Sequence, residues 1–338
     1  MSEAEAKRPE KKHKVEQPFD GKFNLRTFEL SKDLDGSAQA VYESFKAAAQ
    51  SAGVSCDFAN VDSVKDMLRY LSSSKDNSGT VAVDSNSKII GVNFVEMCDT
   101  VAAIGPLAVL PSAQKQKVGS ALLQQSMTSL KSRSSVKSTF FISSSDVSQS
   151  KLLSALPFKK SFELTDMRGF VPTTAVLPHG YYVRVMTAND LYACDALVTA
   201  TLGYSRKNRL LGSLKGPLPR FVVLHDDEET GRRIVGFTTG LHLAGCTFAE
   251  SEDALKSLII TYSQSFEYIA SKKKEDGDDA ADGDKGDAPS VIVQVLSCFP
   301  TIHKWLTEQG FKEHCRRFAN VSGKASEPKH FFVPSFHF

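Results

Sequence analysis

Apolar side chains recur with two different periods along the start of the chain. Residues 23–30, FNLRTFEL, alternate apolar and polar positions, which predicts a β-strand. In the segment that follows, Val41, Phe45 and Ala48 recur at helical spacing, and Gly53 marks the end of the predicted helix. A second amphipathic helix is predicted over residues 63–73.

The pattern then changes from helical to extended and back. Three strands are predicted at 79–85, 87–97 and 100–110, followed by a helix at 120–132 and a strand at 135–143. A further helix over 146–156, with Asp146 as its N-cap, and one or two strands between 157 and 171 complete the unit. This order of elements predicts an α/β fold, an α+β arrangement around a sheet of mixed strand direction.

The same pattern then starts again. Residues 171–180 carry two prolines and a glycine and predict a linker. Arg184 stands where Arg26 stands in the first half, 158 residues later, and Phe311 stands where Phe158 stands, 153 residues later. Two nearly equal offsets predict a duplicated unit, with domains at 21–170 and 181–338.

Two charged segments interrupt this organisation. Residues 1–20 have no aromatic side chain before Phe19 and predict a disordered basic tail, whose lysines are also compatible with a nuclear address. Residues 272–289 hold Glu275 and six aspartates between 276 and 287, which predicts a disordered acidic loop. Their spacing does not match a calcium-binding loop.

Composition narrows the class of protein. The 338 residues suffice for two domains, and 41 Lys plus Arg against 39 Asp plus Glu give a net charge of +2, which predicts no nucleic-acid partner. Apolar runs are too short to span a membrane, so no membrane partner is expected. The six cysteines form no CxxC pair, which favours a reduced, cytoplasmic location and no metal site.

The segment Ile104–Leu123, IGPLAVLPSAQKQKVGSALL, carries the most chemical information. It predicts a strand, a polar loop and the first turn of a helix, where free backbone N–H groups and the helix dipole attract an anion. Lys115 and Lys117 add positive charge. The segment therefore predicts a phosphate or pyrophosphate site. An ordinary strand-to-helix connection with a solvated basic loop is the alternative.

This segment resembles motif A of the GNAT acetyltransferase superfamily, in which a strand ends in a V-x-P turn before a Gln- and Gly-containing loop. Val109, Pro111, Gln114 and Gly119 stand at the matching positions. The resemblance covers residues 23–170 well and the second half less closely. It implies two tandem GNAT-like acyl-CoA N-acyltransferase domains, with the fourth and fifth strands diverging to admit acyl-CoA.

The resemblance also implies a set of cofactor-binding residues for acetyl-CoA. The backbone of Leu107, Ala108 and Val109 would pair with the pantetheine arm, and Asp146 would lie near the CoA chain. The amides that would hold the pyrophosphate belong to Gln114, Lys115, Gln116, Lys117, Val118, Gly119 and Ser120.

Lys117 departs from the family pattern, because it replaces the first glycine of the loop. If that position needs a left-handed backbone, the lysine costs about 1–2 kcal/mol. If it needs close approach of the phosphate, the lysine side chain must point away and the loss of affinity is larger.

The catalytic positions also differ. Leu153 stands where many members have a tyrosine that protonates the leaving thiolate, and the fourth strand offers Ala102 and Ala103 where a glutamate is common. Glu96 is the nearest carboxylate that the sequence places, as a candidate catalytic residue. The alternative for Glu96 is a strand residue that faces solvent.

The second half lacks the phosphate loop, and Leu306 stands at its tyrosine position. Glu250, Glu252 and Asp253 occupy the start of its helix, where they would repel a pyrophosphate. This resembles the cofactor-free second domain of tandem GNAT proteins, which would complete the acceptor pocket.

Three functions remain open from the sequence. The first is an N-acetyltransferase that moves acetyl from acetyl-CoA to a small-molecule or peptide amine. The second is a non-catalytic acyl-CoA-binding protein or scaffold, and the third is an interaction module without cofactor. The acceptor and the oligomeric state stay open.

Overall fold

The structure is a computed structural model. It describes residues 20–98, 100–144, 152–153, 156–214, 219–227, 231–241, 245–275, 291–323 and 330–333. These residues form an α/β fold with one mixed sheet and one antiparallel sheet, as the alternation of helical and extended patterns predicts for the fold class.

The first half contains six strands and three helices among the described residues. The strands are β1 (Phe23–Thr27), β2 (Ser78–Asp84), β3 (Ile89–Cys98), β4 (Val101–Val109), β5 (Ser138–Ser144) and β6 (Lys159–Gly169). The helices are α1 (Leu30–Ala52), α2 (Val61–Ser72) and α3 (Val118–Lys131).

The second half repeats this order after residues 171–180. Its strands are β7 (Tyr181–Val185), β8 (Phe221–Asp227), β9 (Gly231–Thr238), β10 (Thr247–Ala249), β11 (Val291–Leu296), β12 (Lys312–Gly323) and β13 (Phe331–Val333). Its helices are α4 (Leu191–Leu202), α5 (Lys207–Ser213), α6 (Glu252–Glu275) and α7 (Pro300–Glu308).

Local signals in the sequence explain most boundaries. Gly53 and Gly203 adopt left-handed conformations at the C-caps of α1 and α4, which glycine tolerates without a Cβ clash. The region between 157 and 171 forms one strand. Helix α6 continues to Glu275, so the first residues of the predicted acidic loop are helical. The rest of that loop, the basic tail up to residue 19 and Asp146 lie outside the described residues.

The duplication is visible in a repeated ion pair. Arg26 on β1 makes two hydrogen bonds to Asp33 in the first turn of α1, at 2.6 and 2.7 Å. Arg184 on β7 makes the same two bonds to Asp190 just before α4, both at 2.7 Å. Bidentate pairs of this kind fix the angle between a strand and the helix that follows it.

The sheets show that the two halves exchange strands. The larger sheet has the order β1-β2-β3-β4-β5-β12-β6-β11, so β12 lies between β5 and β6, and β6 pairs with β11. The final long strand of each half therefore lies beside the other half. The domain division at 171–180, which follows the chain, stays a prediction, because the sheet itself continues across it.

The second sheet has the order β13-β10-β9-β8-β7. Strand β10 has β9 on one side and β13, from the end of the chain, on the other. In the first half, the equivalent position beside β4 is taken by β5 over only four residue pairs. This difference between the halves determines where a cleft opens.

Candidate functional site

Strands β4 and β5 part in the middle of the larger sheet. They pair in parallel from Val101–Ser138 to Ile104–Phe141 and then separate. At this point β4 has one extra residue opposite β3, because Asn93 pairs with Leu107 while Val95 pairs with Ile104. A bulge of this kind bends a strand and disrupts its pairing, which opens a cleft between β4 and β5.

The backbone of Leu107 faces this cleft. The N–H of Leu110 donates to the carbonyl of Ile90 on β3 at 2.9 Å. Because successive residues of an antiparallel strand point their backbone groups to opposite sides, those of Leu107 and Val109 face away from β3. The hydroxyl of Ser44 binds both the N–H and the carbonyl of Val109, at 3.2 and 2.9 Å. Leu107 therefore offers the backbone groups that remain for a ligand in the cleft.

The loop after β4 contains two lysines in a left-handed conformation. A short 3₁₀ turn spans Pro111–Ala113, and Lys115 and Lys117 follow with φ of 62° and 66°. The first of the two explanations for the family glycine therefore applies at Lys117: the position needs a left-handed backbone. Each such residue costs about 1–2 kcal/mol, and strain of this kind concentrates at ligand-binding loops.

Helix α3 starts directly after Lys117, which is its N-cap. The N–H of Ala121 donates to the carbonyl of Lys117. The N–H groups of Val118, Gly119 and Ser120 come before this bond, at the helix start, where N–H groups have no acceptor within the helix. A Cβ at Gly119 would meet only Val109 and Leu152 side chains, at 3.6 and 3.9 Å. A Cβ at Gly119 would therefore fit in ordinary van der Waals contact with these two side chains.

The structure brings most of the predicted cofactor residues together at one edge of the cleft. Residues 107–109 form its β4 wall, and residues 114–120 form the loop and helix start beyond it. Lys115 and Lys117 are exposed, so their charges are available there. Their role in binding stays a prediction, as does that of Asp146, which lies outside the described residues.

Glu96 does not face solvent, so that alternative is wrong. Its side chain is 4% exposed and lies opposite Ala103 of β4. Tyr70 of α2 donates to one carboxylate oxygen at 3.2 Å, and Arg209 of α5 pairs with the other at 3.3 Å. The sequence could not show this burial, because the covering arginine belongs to the second half.

Burial and the charge of Glu96 shift the pKa values of the groups around Glu96. Burial, and then the charge of Glu96, raises the pKa of the Tyr70 hydroxyl well above its ordinary value. Burial alone lowers the pKa of the Arg209 guanidinium, but attraction to Glu96 outweighs it and the pKa is raised. For the Cys98 thiol, burial and then the charge of Glu96 both act in the same direction and raise the pKa to about 11. Tyr70 and Arg209 therefore keep their protons at neutral pH.

The two leucines at the tyrosine positions are core residues. Leu153 packs among Ile104, Leu123 and Phe141 and is 7% exposed, and Leu306 is fully buried in the second half. Neither side chain can donate a proton to a thiolate.

A second polar network, which the sequence analysis missed, lies beside the β5 wall of the cleft. Asp57, in the loop between α1 and α2, pairs with Arg317 of β12 at 2.7 Å, and Arg317 also pairs with Asp166 of β6 at 2.8 Å. Gln294 and Cys315 donate to Asp166 as well, at 2.9 and 3.2 Å. Only the strand exchange brings these residues together, so no local motif marks them.

The charges in this network are balanced by their neighbours. Burial alone lowers the pKa of the Arg317 guanidinium, but the charges of Asp166 and Asp57 outweigh it and raise the pKa. Burial raises the pKa of the Cys315 thiol to about 12, so this cysteine is not a thiolate at neutral pH.

In the described residues of the second half, strand β10 and the helix after it are arranged differently from β4 and α3. Strand β13 fills the place beside β10, and only residues 250 and 251 separate β10 from α6. Glu252 and Asp253 lie in the first turn of α6, and Glu252 pairs with Lys256 at 2.7 Å. The connection between β10 and α6 is thus shorter than the connection between β4 and α3 in the first half.

Within the described ranges, no group of three His, Cys, Asp or Glu side chains could hold a metal ion. None of the helices in this part of the chain is long and apolar enough to cross a membrane.

The sequence and the fold were compared with known proteins. Residues 39–150 match the model of the acetyltransferase (GNAT) family, whereas a comparison with curated proteins found no significant match. A protein from Pyrococcus horikoshii described as a candidate acetyltransferase superposes with a TM-score of 0.66 at 11% identity, over 96% of this chain and 98% of that one.

Two further solved structures have the same fold. A GCN5-related N-acetyltransferase from Sphaerobacter thermophilus gives a TM-score of 0.58 at 14% identity, over 95% of this chain and 100% of its own. A tandem GNAT protein from the clavulanic acid biosynthesis pathway gives 0.57 at 12% identity, over 90% and 100%. The family model thus matches residues 39–150, and the likeness to these solved structures over nearly the whole length shows that the chain has the tandem GNAT fold.

Proposed function

We propose that the chain is an N-acetyltransferase that binds acetyl-CoA in the cleft between β4 and β5 and transfers its acetyl group to an amine. The observation that carries this proposal is the parting of these strands beside a helix start with free N–H groups and two lysines. The cleft offers backbone groups at Leu107, and the loop beyond it offers a site for a pyrophosphate.

Each part of the cofactor then has a partner of suitable chemistry. The amides of the pantetheine arm would bond to the N–H and carbonyl of Leu107, as a strand would. The pyrophosphate would accept from Val118, Gly119 and Ser120, with the charges of Lys115 and Lys117 beside it. The acceptor would enter from the side of α2 and the second half, where Tyr70 and Arg209 surround Glu96.

In the transfer, the amine nitrogen attacks the thioester carbonyl, the new C–N bond forms, and the C–S bond breaks to release the CoA thiolate. The amine must lose a proton, and Glu96 is the candidate acceptor of that proton through water. Positioning of the two reactants supplies much of the rate in such a reaction.

A second candidate, acyl-CoA binding without turnover, is favoured by a specific observation. Both oxygens of Glu96 are already engaged by Tyr70 and Arg209, and Leu153 cannot act as an acid. The third reading, an interaction module without cofactor, requires that acetyl-CoA does not bind.

Calorimetric titration with acetyl-CoA separates these readings. The wild type is compared with Gly119→Glu and with Gly119→Gln, which adds nearly the same volume without charge. The proposal expects micromolar binding at one site per chain, abolished by the glutamate and only weakened by the glutamine. Equal loss in both variants would mean that bulk rather than charge blocks binding, which would contradict an anion bound beside Gly119.

Turnover is then measured as thiol release with a panel of amines. Transfer to any amine, lost in Gly119→Glu, supports the enzyme. Binding with no turnover on the whole panel supports the second candidate, and absence of binding leaves the third.

A further inference from the structure

One cluster of polar side chains beside the cleft has groups that the fold itself does not use. We call Ser55, Asp57, Arg168, His314 and Arg317 the Ser55 cluster. Arg317 pairs with Ser144, the last residue of β5, so the cluster begins one strand away from the cleft. Its members come from the loop between α1 and α2, from β6 and from β12.

Two of these side chains meet at Ser55. Arg168 of β6 donates from Nη1 to the Ser55 hydroxyl at 2.6 Å. The imidazole of His314 on β12 lies close enough to the backbone carbonyl of Ser55 for that carbonyl to raise the pKa of His314. A guanidinium and an imidazole therefore converge on two oxygens that lie close together, which is how a pair of such side chains holds a carboxylate.

Each of the two side chains also keeps a buried nitrogen that makes no hydrogen bond within the described part of the chain. These atoms are Nε of Arg168 and Nε2 of His314. Because buried polar atoms nearly always have a partner, an unused pair at one place calls for a ligand or a water.

The ion pairs of the cluster hold its two arginines to different degrees. Arg317 holds Asp57 at 2.7 Å and Asp166 at 2.8 Å, whereas Arg168 reaches Asp57 only at 3.5 Å. Arg317 is thus the main partner of both carboxylates, and Arg168 is bound less closely to Asp57 and also donates to Ser55.

The backbone presents His314 at an irregular position. The pairing of β12 with β6 shifts register between Glu313 and Cys315, so His314 is the extra residue of a bulge. Bulges often re-aim a side chain next to an active site. In a regular strand, the imidazole would point to one of the two alternating faces of the sheet, and the bulge changes that direction.

We infer that the Ser55 cluster is the part of the acceptor site that binds a carboxylate, so that the preferred acceptors are amines that also carry a carboxylate group. Arg168 and His314 donate hydrogen bonds to the carboxylate. The carboxylate oxygens either replace the two Ser55 oxygens as acceptors or accept from Nε of Arg168 and Nε2 of His314. This inference rests on the proposed function for the identity of the ligand as an acceptor.

Protonation of His314 is coupled to this binding. Burial, and then the charge of Arg168, lowers the pKa of His314, while Asp166, Asp57 and the Ser55 carbonyl oppose that shift. His314 is therefore neutral at pH 7 in the free protein. A bound carboxylate favours the imidazolium, so binding should take up a proton and strengthen as the pH falls toward 6.

The test uses matched pairs of amines, each an amino acid and its carboxamide, for example L-phenylalanine and L-phenylalaninamide, or 4-aminobutanoate and 4-aminobutanamide. Direct binding is measured by calorimetry on the full chain, with and without acetyl-CoA, and turnover is measured by thiol release. The amino acid of at least one pair should bind about ten-fold or more tightly than its amide, as expected for charge-assisted hydrogen bonds.

The variants Arg168→Gln and His314→Gln should each remove most of that preference. Arg316→Gln and His303→Gln are the controls. Arg316 lies on the same strand as His314 but is 62% exposed, and His303 pairs with Glu313 at the surface. Arg168 also binds Ser55 in the loop between α1 and α2, so its replacement can destabilise the protein. Thermal melts of Arg168→Gln therefore accompany the binding data. If Arg168→Gln does not fold, His314→Gln provides the test, because His314 is only half-buried.

The inference is overturned if amides bind as well as amino acids, if the preference survives in both variants, or if no carboxylate-bearing amine binds at millimolar concentration. Binding of acetyl-CoA tests the proposed function separately. Loss of cofactor binding with retained binding of amino acids would reject the acetyltransferase but keep the carboxylate site.

Discussion

Phe332 of β13 stacks on Phe248 of β10, with ring centroids 4.6 Å apart and ring planes at 22°. Both side chains are almost fully buried, and the Arg206 guanidinium lies 5.7 Å from the Phe332 ring. Strand β13 thus occupies, in the second half, the side of β10 that corresponds to the cleft beside β4. Among the described residues, this contact closes the place where the first half has its cleft.

Replacement of Phe332 by alanine should lower the free energy of unfolding by about 3–5 kcal/mol, because it removes a buried ring and leaves a cavity beside Phe248. Urea unfolding followed by circular dichroism measures the change. Tyr192→Ala is the control, since Tyr192 is 88% exposed and should shift stability by less than about 0.5 kcal/mol. Equal effects of the two substitutions would show that β13 is not part of the core.

Lys117 offers a test of backbone strain in the proposed pyrophosphate loop. Its φ of 66° suits glycine, so Lys117→Gly should be more stable than Lys117→Ala by about 1 kcal/mol. Both variants lack the ammonium group, so the comparison isolates the backbone term. Thermal unfolding measures it, and Ala at least as stable as Gly would contradict the left-handed conformation.

The buried pair of Glu96 and Arg209 should behave differently from a surface pair. Removing one partner leaves an uncompensated buried charge, so Arg209→Met should cost about 3–5 kcal/mol of stability. The double variant Glu96→Gln with Arg209→Met should recover much of this loss. The exposed pair of Arg232 and Asp226 is the control and should show a coupling of at most about 1 kcal/mol. A double-mutant cycle gives the coupling energies.

The repeated arginine clamp predicts a loss of stability in acid. Hydrogen bonds from Arg184 lower the pKa of Asp190 from 3.8 to about 2 in the folded protein. A carboxylate with a depressed pKa stabilises the fold above its unfolded pKa, and this contribution is lost as the pH falls from about 4 to 2. Because Arg184 is 44% exposed, screening limits the effect to about 1–2 kcal/mol.

Thermal melts between pH 6 and pH 2 measure this contribution. Asp190→Asn should flatten the fall in melting temperature in that window and should be less stable than the wild type at pH 6. The same slope in both proteins would mean that other carboxylates account for the acid sensitivity. Arg26 and Asp33 offer an independent repeat, because the pKa of Asp33 is lowered by the same contact.

Much of the first half follows from local sequence signals. The helical spacing of Val41, Phe45 and Ala48 and the glycine at 53 predict α1, and the polar loop after Val109 predicts a helix start with free N–H groups. These features depend on residues close in sequence, so a local pattern contains the information. The matching positions of Arg26 and Arg184 indicate the duplication, because each arginine stands in a similar local pattern of residues.

The surroundings of Glu96 and His314 do not follow in this way. Glu96 sits in a strand pattern that is equally compatible with a solvent-facing side chain, and only Arg209, more than a hundred residues away, covers it. His314 shows no motif at all, because its position depends on a bulge in the pairing of β12 with β6. An isolated histidine in a charged strand could not have been selected from the sequence.

The sequence by itself determined the order of helices and strands, the duplication and the position of the loop from Gln114 to Ser120. The tertiary structure decided which strands pair, and thereby placed β12 beside β5 and β13 beside β10. The physical reason is that ladder hydrogen bonds join backbone groups common to all residues, so a strand's own sequence specifies its buried face but not its neighbour. The neighbour is chosen by packing across the whole core, and that choice creates the cleft, the buried Glu96 and the Ser55 cluster.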